Sequence, residues 1–467
     1  MIKVNRMIQR YSLFLLVLGL APGVRAQDRP FVDGDAVSFL GDSITHNGKW
    51  HSYIEDYYLT RFPTRTLRVF NTGISGDTAA GALARLETDV LPDRPNVVAI
   101  MLGMNDVGRG QYTAGEASEA TLAARRRSID NYRANMTKIL ARLKEAGVQR
   151  IILVTPSPFD QTARSERENN PGVNDALAEC GRIARELAAS SGASVVDFNG
   201  PLTAWNLARQ QKDPAATLVG ADRVHPGALG HTLMAYLFLT AQKAPAVVSR
   251  TVIDAANGLV VETVNAAAKV KASGGPLLSF ELLEGALPFP IDKDAAEATT
   301  IAPIEKELDQ EVIAARGLAE GKYRLYIDGS AIGTHTAAAL ANGINLALDA
   351  NTPMFRQAQE VLTLNERRRQ LGAMLRGITQ YDERVLRRAG VSGEDPMAAK
   401  KALDAYLEGL RRQNSPSLAG AETAIARYLA YRPQVAQIRA EMARISELLN
   451  AARTPKVHLF EVEQVIN

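Results

Sequence analysis

One cysteine in 467 residues leaves no internal disulfide to form, so the fold must be held without a covalent cross-link between cysteines. That cysteine, Cys180, lies too deep in the chain to be a lipidated leader cysteine, and its surroundings at 174–190 read as helix, so a buried inert thiol is expected. No apolar run beyond the first twenty residues approaches the length of a membrane span, which argues against stable membrane insertion. The chain also lacks an excess of charge of either sign. Its formal +3 falls to about −1 once Lys3, Arg6, Arg10 and Arg25 are removed with a leader, so no nucleic-acid partner is implied. The six histidines form no cluster with metal-ligand spacing, so neither a metal nor another cofactor is expected.

What the chain has at its start is an address. Lys3, Arg6 and Arg10 precede a short apolar run, Tyr11 to Leu20, and Val24-Arg25-Ala26 supplies a cleavage-like ending. A signal peptide over 1–26 and an exported protein, periplasmic or secreted, are the expectation; an uncleaved N-terminal anchor is the alternative. The apolar content of 46% is ample for a core, and the remaining length calls for two or three folding units.

From Ala36 to about Gln242, short apolar runs alternate with amphipathic stretches, the pattern of a parallel sheet covered by helices on both faces. Strands are expected at Ala36–Leu40, Leu67–Asn71, Asn96–Leu102, Arg150–Val154 and Ala193–Asp197. Helices are expected at Trp50–Arg61, Thr78–Leu91, Ser128–Ala146, Gly172–Ser191 and Gly227–Gln242. In such sheets ligands bind beyond the carboxyl ends of the strands. The first three ends carry Gly41-Asp42-Ser43-Ile44-Thr45, then Gly73-Ile74-Ser75-Gly76-Asp77-Thr78, then Gly103-Met104-Asn105-Asp106. Asp222-Arg223-Val224-His225-Pro226 stands before the last helix.

A serine hydroxyl needs an imidazole to take its proton and a carboxylate to hold that imidazole in one tautomer. Ser43, His225 and Asp222 fit these roles, and a spacing of three lets the acid and the base share one tight loop. An oxyanion needs donors aimed at it in advance. The Ser43 N–H, the Gly76 N–H and the Asn105 side-chain amide are the candidates. Taken singly, these residues could be ordinary turn glycines and caps; their ordered combination is what carries the reading.

These four blocks together resemble those of the SGNH, or GDSL, hydrolase family. Gly41-Asp42-Ser43 matches the nucleophile block, Gly76 the oxyanion glycine, Asn105 the third block, and Asp222 with His225 the last block. The resemblance covers roughly residues 31–242. It implies a three-layer α/β/α sandwich with a central parallel sheet and a metal-independent serine esterase. The absence of a second glycine after Ser43 separates the segment from the Gly-x-Ser-x-Gly elbow of α/β-hydrolases.

Two long connections, Val107–Arg127 with Arg109, Tyr112 and Arg125-Arg126-Arg127, and Thr155–Pro171, are candidates for substrate walls, although the arginine run reads more simply as a solvated helix start. His46 and His51 lie close after the nucleophile and could line the cleft or make structural hydrogen bonds. His231 is expected to pack, and His335 and His458 fall outside the catalytic region.

Beyond residue 247 the pattern changes. The division expected is a catalytic unit at 27–247, a small β-rich unit at 248–350 and a helical region at 351–467. Strands are expected at Leu278–Leu283, Lys322–Ile327 and Ser330–His335, the last two joined by an Asp328-Gly329 hairpin turn. Helical spacing marks Met354–Ile378, Pro396–Arg411 and Ala421–Leu449. This half would serve as a scaffold, as a carbohydrate-binding module with Tyr323 or Tyr326 as stacking residues, or as a homo-oligomerisation element built from its long helices. The function expected of the whole is an exported serine esterase that O-deacetylates a carbohydrate, with a small-molecule or glycan ester as its substrate. Lipase, lysophospholipase or thioesterase action on longer acyl chains is the competing enzyme reading. A noncatalytic glycan-binding or envelope scaffold is the third.

Overall fold

Five segments, three of them buried along their whole length, pair side by side and set the first layer of the molecule. The computed structural model describes residues 28–465, so the leader read at 1–26 lies outside the described residues. The chain runs through β1 (Ala36–Gly41), α1 (Ser43–Asn47), α2 (Trp50–Arg61), β2 (Arg68–Gly73), α3 (Ala79–Ala84), β3 (Val97–Met101), α4 (Glu119–Glu145) and β4 (Arg150–Val154). It continues through α5 (Val173–Ser191), β5 (Ser194–Val196), α6 (Asn199–Gln210) and α7 (Ala228–Ala241). The strands are all parallel, in the order β2-β1-β3-β4-β5. Because β1 sends its successors to opposite sides, the crevice of a doubly wound sheet opens at its carboxyl end.

Every residue of β1, β3 and β4 is buried, as expected of strands covered on both faces. Trp50, Tyr57, Phe39, Phe198 and Phe238 fill the layer beneath the site; Trp50 meets Phe39 edge-on at 4.9 Å and Phe198 at 5.5 Å. The expected three-layer α/β/α architecture is the one found. Two details differ. Helix α4 begins at Glu119, capped by the Ser118 side chain, rather than at Ser128, because its first turns are charged and carry little apolar periodicity. Helix α6 was not expected; its Pro201 sits early in the helix, where a missing N–H costs nothing.

The second half builds two further sheets from β6 (Val247–Asp254), β7 (Leu259–Val264), β8 (Ala266–Ala272), β9 (Leu277–Glu284), β10 (Gln310–Arg316), β11 (Lys322–Ile327), β12 (Ser330–Thr336), β13 (Ile344–Asn345) and β14 (Val457–Gln464). One sheet runs β13-β10-β6-β7 and the other β12-β11-β14-β9-β8. Short helices α8 (Ala298–Ile301), α9 (Ile304–Leu308) and α10 (Ala337–Asn342) are followed by α11 (Pro353–Tyr381), α12 (Pro396–Arg412), α13 (Leu418–Tyr431) and α14 (Val435–Ala452). The Asp328-Gly329 turn has both residues at positive φ, 50° and 75°, the mirror-image turn that suits a two-residue hairpin.

The expectation of one helix over Ala421–Leu449 fails at Arg432-Pro433-Gln434, a short turn between α13 and α14 set by the proline. The larger correction is β14. Residues 457–464 are not helical but form the central strand of the second sheet, between β11 and β9, with Phe460 stacked on Phe280 at 5.2 Å. Helix α11 packs along α2, and Phe289, Ile291, Ile304 and Leu308 join the core of the first sheet. The two halves therefore share apolar packing.

Candidate active site

Glycine decides how β1 ends. A side chain at Gly41 would stand 2.3 Å from Thr45 Oγ1 and 2.8 Å from the Met101 carbonyl oxygen, so the strand can turn into α1 here only without one. Asp42 then caps α1 by accepting the Ile44 N–H at 3.0 Å. Ser43 is thereby placed at the first helical position, where its own N–H has no partner within the helix. Burial pushes the Asp42 carboxyl up to about 7, with the nearby Asp106 charge acting in the same direction. Burial likewise raises Asp106 to about 6.

The Ser43 Oγ lies 2.7 Å from His225 Nε2, and His225 Nδ1 lies 2.5 Å from Asp222 Oδ2. Asp222 serves the backbone as well as the ring. Its Oδ1 accepts the N–H groups of Val224 and His225 at 3.0 and 2.9 Å, which fixes the turn that presents the imidazole. Burial alone would raise the Asp222 pKa; the hydrogen bonds from His225 and Val224 outweigh it and hold the carboxyl below its ordinary value. Gly220 makes the approach to this turn possible, since a side chain there would fall 2.4 Å from the His225 carbonyl oxygen.

The neighbouring strand ends complete the crevice. Gly76 takes φ +75°, which frees the loop after β2 to turn at this point. The Asn105 amide donates to the Asp77 carbonyl oxygen at 2.9 Å, tying the loop after β3 to the loop that carries Gly76. Asp106 accepts the Ala79 N–H at 2.8 Å and strengthens the same join. His46, pushed down to about 3 by burial and by the nearby Arg376, Arg384 and Arg85 charges, is a neutral ring. Its Nδ1 accepts the Ser75 N–H at 3.0 Å, which holds the residue before Gly76.

The structure thus brings Ser43, Asp222 and His225 into one hydrogen-bonded line, and Gly76 and Asn105 into one linked pair of loops. Other histidines stay apart from this line. His51 meets the Thr45 carbonyl oxygen at 3.2 Å, His231 is buried, and His458 pairs with Asp328 at 2.7 Å. Cys180 is fully buried in α5. Among the described residues no group of three or more His, Cys, Asp or Glu side chains could hold a metal ion.

The two long connections differ in what they do. Arg109 is half-buried beside Asn105 in a shallow cleft, close enough to Asp42 and Asp222 to feel both charges, and its Nη1 has no protein partner. Arg125 is spent on structure, donating to the Gln111 carbonyl oxygen and lying over the Tyr112 ring. Thr155–Pro171 supports the acid–base turn. Arg223 is buried at φ 67° and donates to the carbonyl oxygens of Asp160 and Ala163 at 2.8 Å and to that of Arg167, pinning this connection to the Asp222–His225 loop.

Sequence reasoning missed Arg223, which stood inside a quoted motif, and missed Arg376 altogether. Arg376, on α11, donates to the Gly73 carbonyl oxygen at 2.7 Å and pairs through both terminal nitrogens with Asp89. Asp89 also pairs with Arg85 at 2.5 Å, and Arg85 with Asp77 at 2.8 Å, so a buried ionic chain joins the second half to the loop of Gly76. An arginine three hundred residues downstream gives no local signal of such a contact.

Residues 39–233 match the model of the GDSL-like lipase/acylhydrolase family. An acetylxylan esterase of Geobacillus stearothermophilus is 30% identical over 221 residues, which are 44% of this chain and 93% of that protein. The solved structure of a gut microbial diltiazem-metabolizing enzyme superposes with a TM-score of 0.84 at 32% identity, covering 94% of this chain and 99% of that one. The order of the matched blocks, the parallel sheet and these likenesses lead to one assignment: this chain belongs to the GDSL-like lipase/acylhydrolase, or SGNH hydrolase, family.

Proposed function

We propose that this protein is an exported serine esterase that removes acetyl groups from a carbohydrate through an acyl-enzyme. The observation that carries the reading is the hydrogen-bonded line from Ser43 through His225 to Asp222, which lies at the mouth of the crevice with the acid and base side chains 40% and 44% exposed. Ser43 Oγ attacks the ester carbonyl carbon while its proton passes to His225 Nε2. The oxyanion that forms is held by the N–H groups of Ser43 and Gly76 and by the Asn105 amide. Collapse expels the alcohol, protonated by His225, and leaves an acyl-serine. Water, giving its proton to the same imidazole, then releases the acid. Asp222 keeps Nδ1 protonated throughout, and none of these steps calls for a metal or another cofactor.

The name of the acetylxylan esterase relative supports an acetylated glycan as the substrate. The basic start, short apolar run and Val24-Arg25-Ala26 ending support export to the periplasm or beyond. The test is hydrolysis of p-nitrophenyl acetate, butyrate, octanoate and palmitate by residues 27–467, with Ser43→Ala beside it. Acetate preferred, with turnover lost in the variant, is the expected result. Preference for octanoate or palmitate would replace the deacetylase reading with a lipolytic one, and turnover indifferent to Ser43→Ala would end the serine mechanism.

A further inference from the structure

The helical region does more than brace the catalytic unit. Where α11 ends and the chain continues through Asp382–Leu386, a groove of about 780 Å³ opens between α11, α12 and α13. Its inner end is formed by His46, Asn47 and Ser75, the residues that hold the Gly76 loop. It therefore borders the loop that carries Gly76, although Ser43 does not line it.

Arg384 stands at that inner end. A side chain on Gly76 would meet its Nη1 at 3.5 Å and its Nη2 at 3.7 Å, so the guanidinium lies directly over the loop expected to hold the oxyanion. Yet its closest carboxylate, Asp77, is 3.8 Å away, beyond hydrogen-bond reach. Arg376, eight residues earlier and within α11, is satisfied by Gly73 and Asp89 and differs in this respect. With its side chain 34% exposed and its guanidinium beside Gly76, Arg384 is placed to meet acceptor oxygens that arrive with a ligand.

The rest of the groove indicates which ligand. Tyr406 and Tyr431 line it in front of the buried Tyr381, Tyr406 being 39% exposed, and the exposed Arg427 adds a second cation. No Asp or Glu is among its lining residues. Tyrosine rings offer flat apolar faces with a polar rim, and arginine offers forked donors. That combination suits rings that are apolar on their faces and bear hydroxyl oxygens at their edges, and it disfavours cations. The volume is far larger than an acetyl group needs and falls within the range of about 300–1,000 Å³ typical of small-molecule sites.

We infer that this groove is the subsite for the alcohol side of the ester, an oligosaccharide chain, with Arg384 binding oxygens of the sugar that carries the acetyl group and the tyrosines stacking on the sugars beyond it. The inference rests on the esterase reading above and extends it by assigning the substrate's leaving half to the second half of the chain.

The experiment compares kcat/KM on acetylated xylo-oligosaccharides with kcat/KM on p-nitrophenyl acetate for the full-length enzyme and for Arg384→Ala, Arg384→Lys, Tyr406→Ala and Ser43→Ala. For Arg384→Ala the ratio of the two values should fall at least tenfold, through a rise in KM on the oligosaccharide, with partial recovery in Arg384→Lys. Tyr406→Ala, at an exposed position where folding is not at stake, should lower the ratio about fivefold, which is about 1 kcal/mol where about 1.4 kcal/mol is tenfold. Unchanged ratios in both Arg384→Ala and Tyr406→Ala, in a wild type that hydrolyses both substrates through Ser43, would overturn the groove assignment and leave the esterase reading standing. Loss of Ser43-dependent turnover on both substrates in the wild type would instead remove the esterase reading on which the assignment depends.

Discussion

The two halves of the chain hold themselves together in different ways. In the first, five parallel strands join through neighbouring helices, and each functional residue sits within a few positions of a strand end or on one tight turn. In the second, the central strand of one sheet is β14, supplied by residues 457–464 and inserted between strands that end at residues 284 and 327. One half is built from local units, the other closes only when its last strand arrives. Chemistry is concentrated in the first half, while the second contributes charged side chains that reach across, such as Arg376 on Gly73 and Asp89. A division of labour follows, in which the sheet places the Ser43–His225–Asp222 line and the appended helices brace the loops around it.

That contrast can be broken or sharpened by substitution. The largest effect expected is that of His225→Ala, which removes the proton acceptor from an exposed turn: kcat should fall by about 10⁴-fold or more with the melting temperature nearly unchanged. A fall of less than a hundredfold, measured by ester hydrolysis under saturating substrate, would place the base elsewhere. Phe460→Ala should do the reverse. Phe460 is fully buried against Phe280, so its loss should cost about 3–5 kcal/mol in urea unfolding while an enzyme still folded keeps most of its kcat.

Arg376→Ala lies between these extremes and tests whether the halves are coupled. It leaves Asp89 buried with only Arg85 as a partner, and the Asp89 carboxyl is held below its ordinary value against the opposing effect of burial by Arg376 and Arg85. Breaking such a pair costs about 3–5 kcal/mol, and because Gly73 loses its donor the variant should also lose kcat on p-nitrophenyl acetate several-fold. Full activity in a destabilised variant would show that the ionic chain serves stability alone.

The smallest effect is one of pH. Asp42 keeps its proton in the folded chain up to about pH 7, whereas an unfolded chain releases it near pH 4, so between those values the folded state binds more protons and loses stability as pH rises. Asp42→Asn cannot ionise and retains an acceptor for Ile44 N–H. Its melting temperature relative to wild type should therefore rise between pH 5 and pH 8, and a pH-independent difference would contradict a protonated Asp42.

Much of the first half was legible because its signals are short-range. Apolar runs of strand length marked β1, β3 and β4 to within a residue or two, and the glycine, serine and asparagine at their ends lie next to the strands that position them. Where periodicity was masked by charge, as at the start of α4, the boundary was misplaced. In the second half, β11 and β12 were legible because Asp328-Gly329 is a turn with its own chemistry, but β14 was not. Its alternating residues, Val457-His458-Leu459-Phe460-Glu461-Val462, follow a long helical region, and only pairing with strands more than a hundred residues away reveals their state.

The sequence by itself determined the sheet class, the order of the site blocks and the spacing that lets Asp222 and His225 share one turn, because each depends on residues adjacent in the chain or on a simple period. Tertiary structure alone decided that Arg223 anchors that turn, that Arg376 clamps the end of β2, and that Arg384 stands over Gly76 at the inner end of a tyrosine-lined groove. Long flexible side chains carry no local preference for a partner, and their contacts are fixed only when distant segments are packed together.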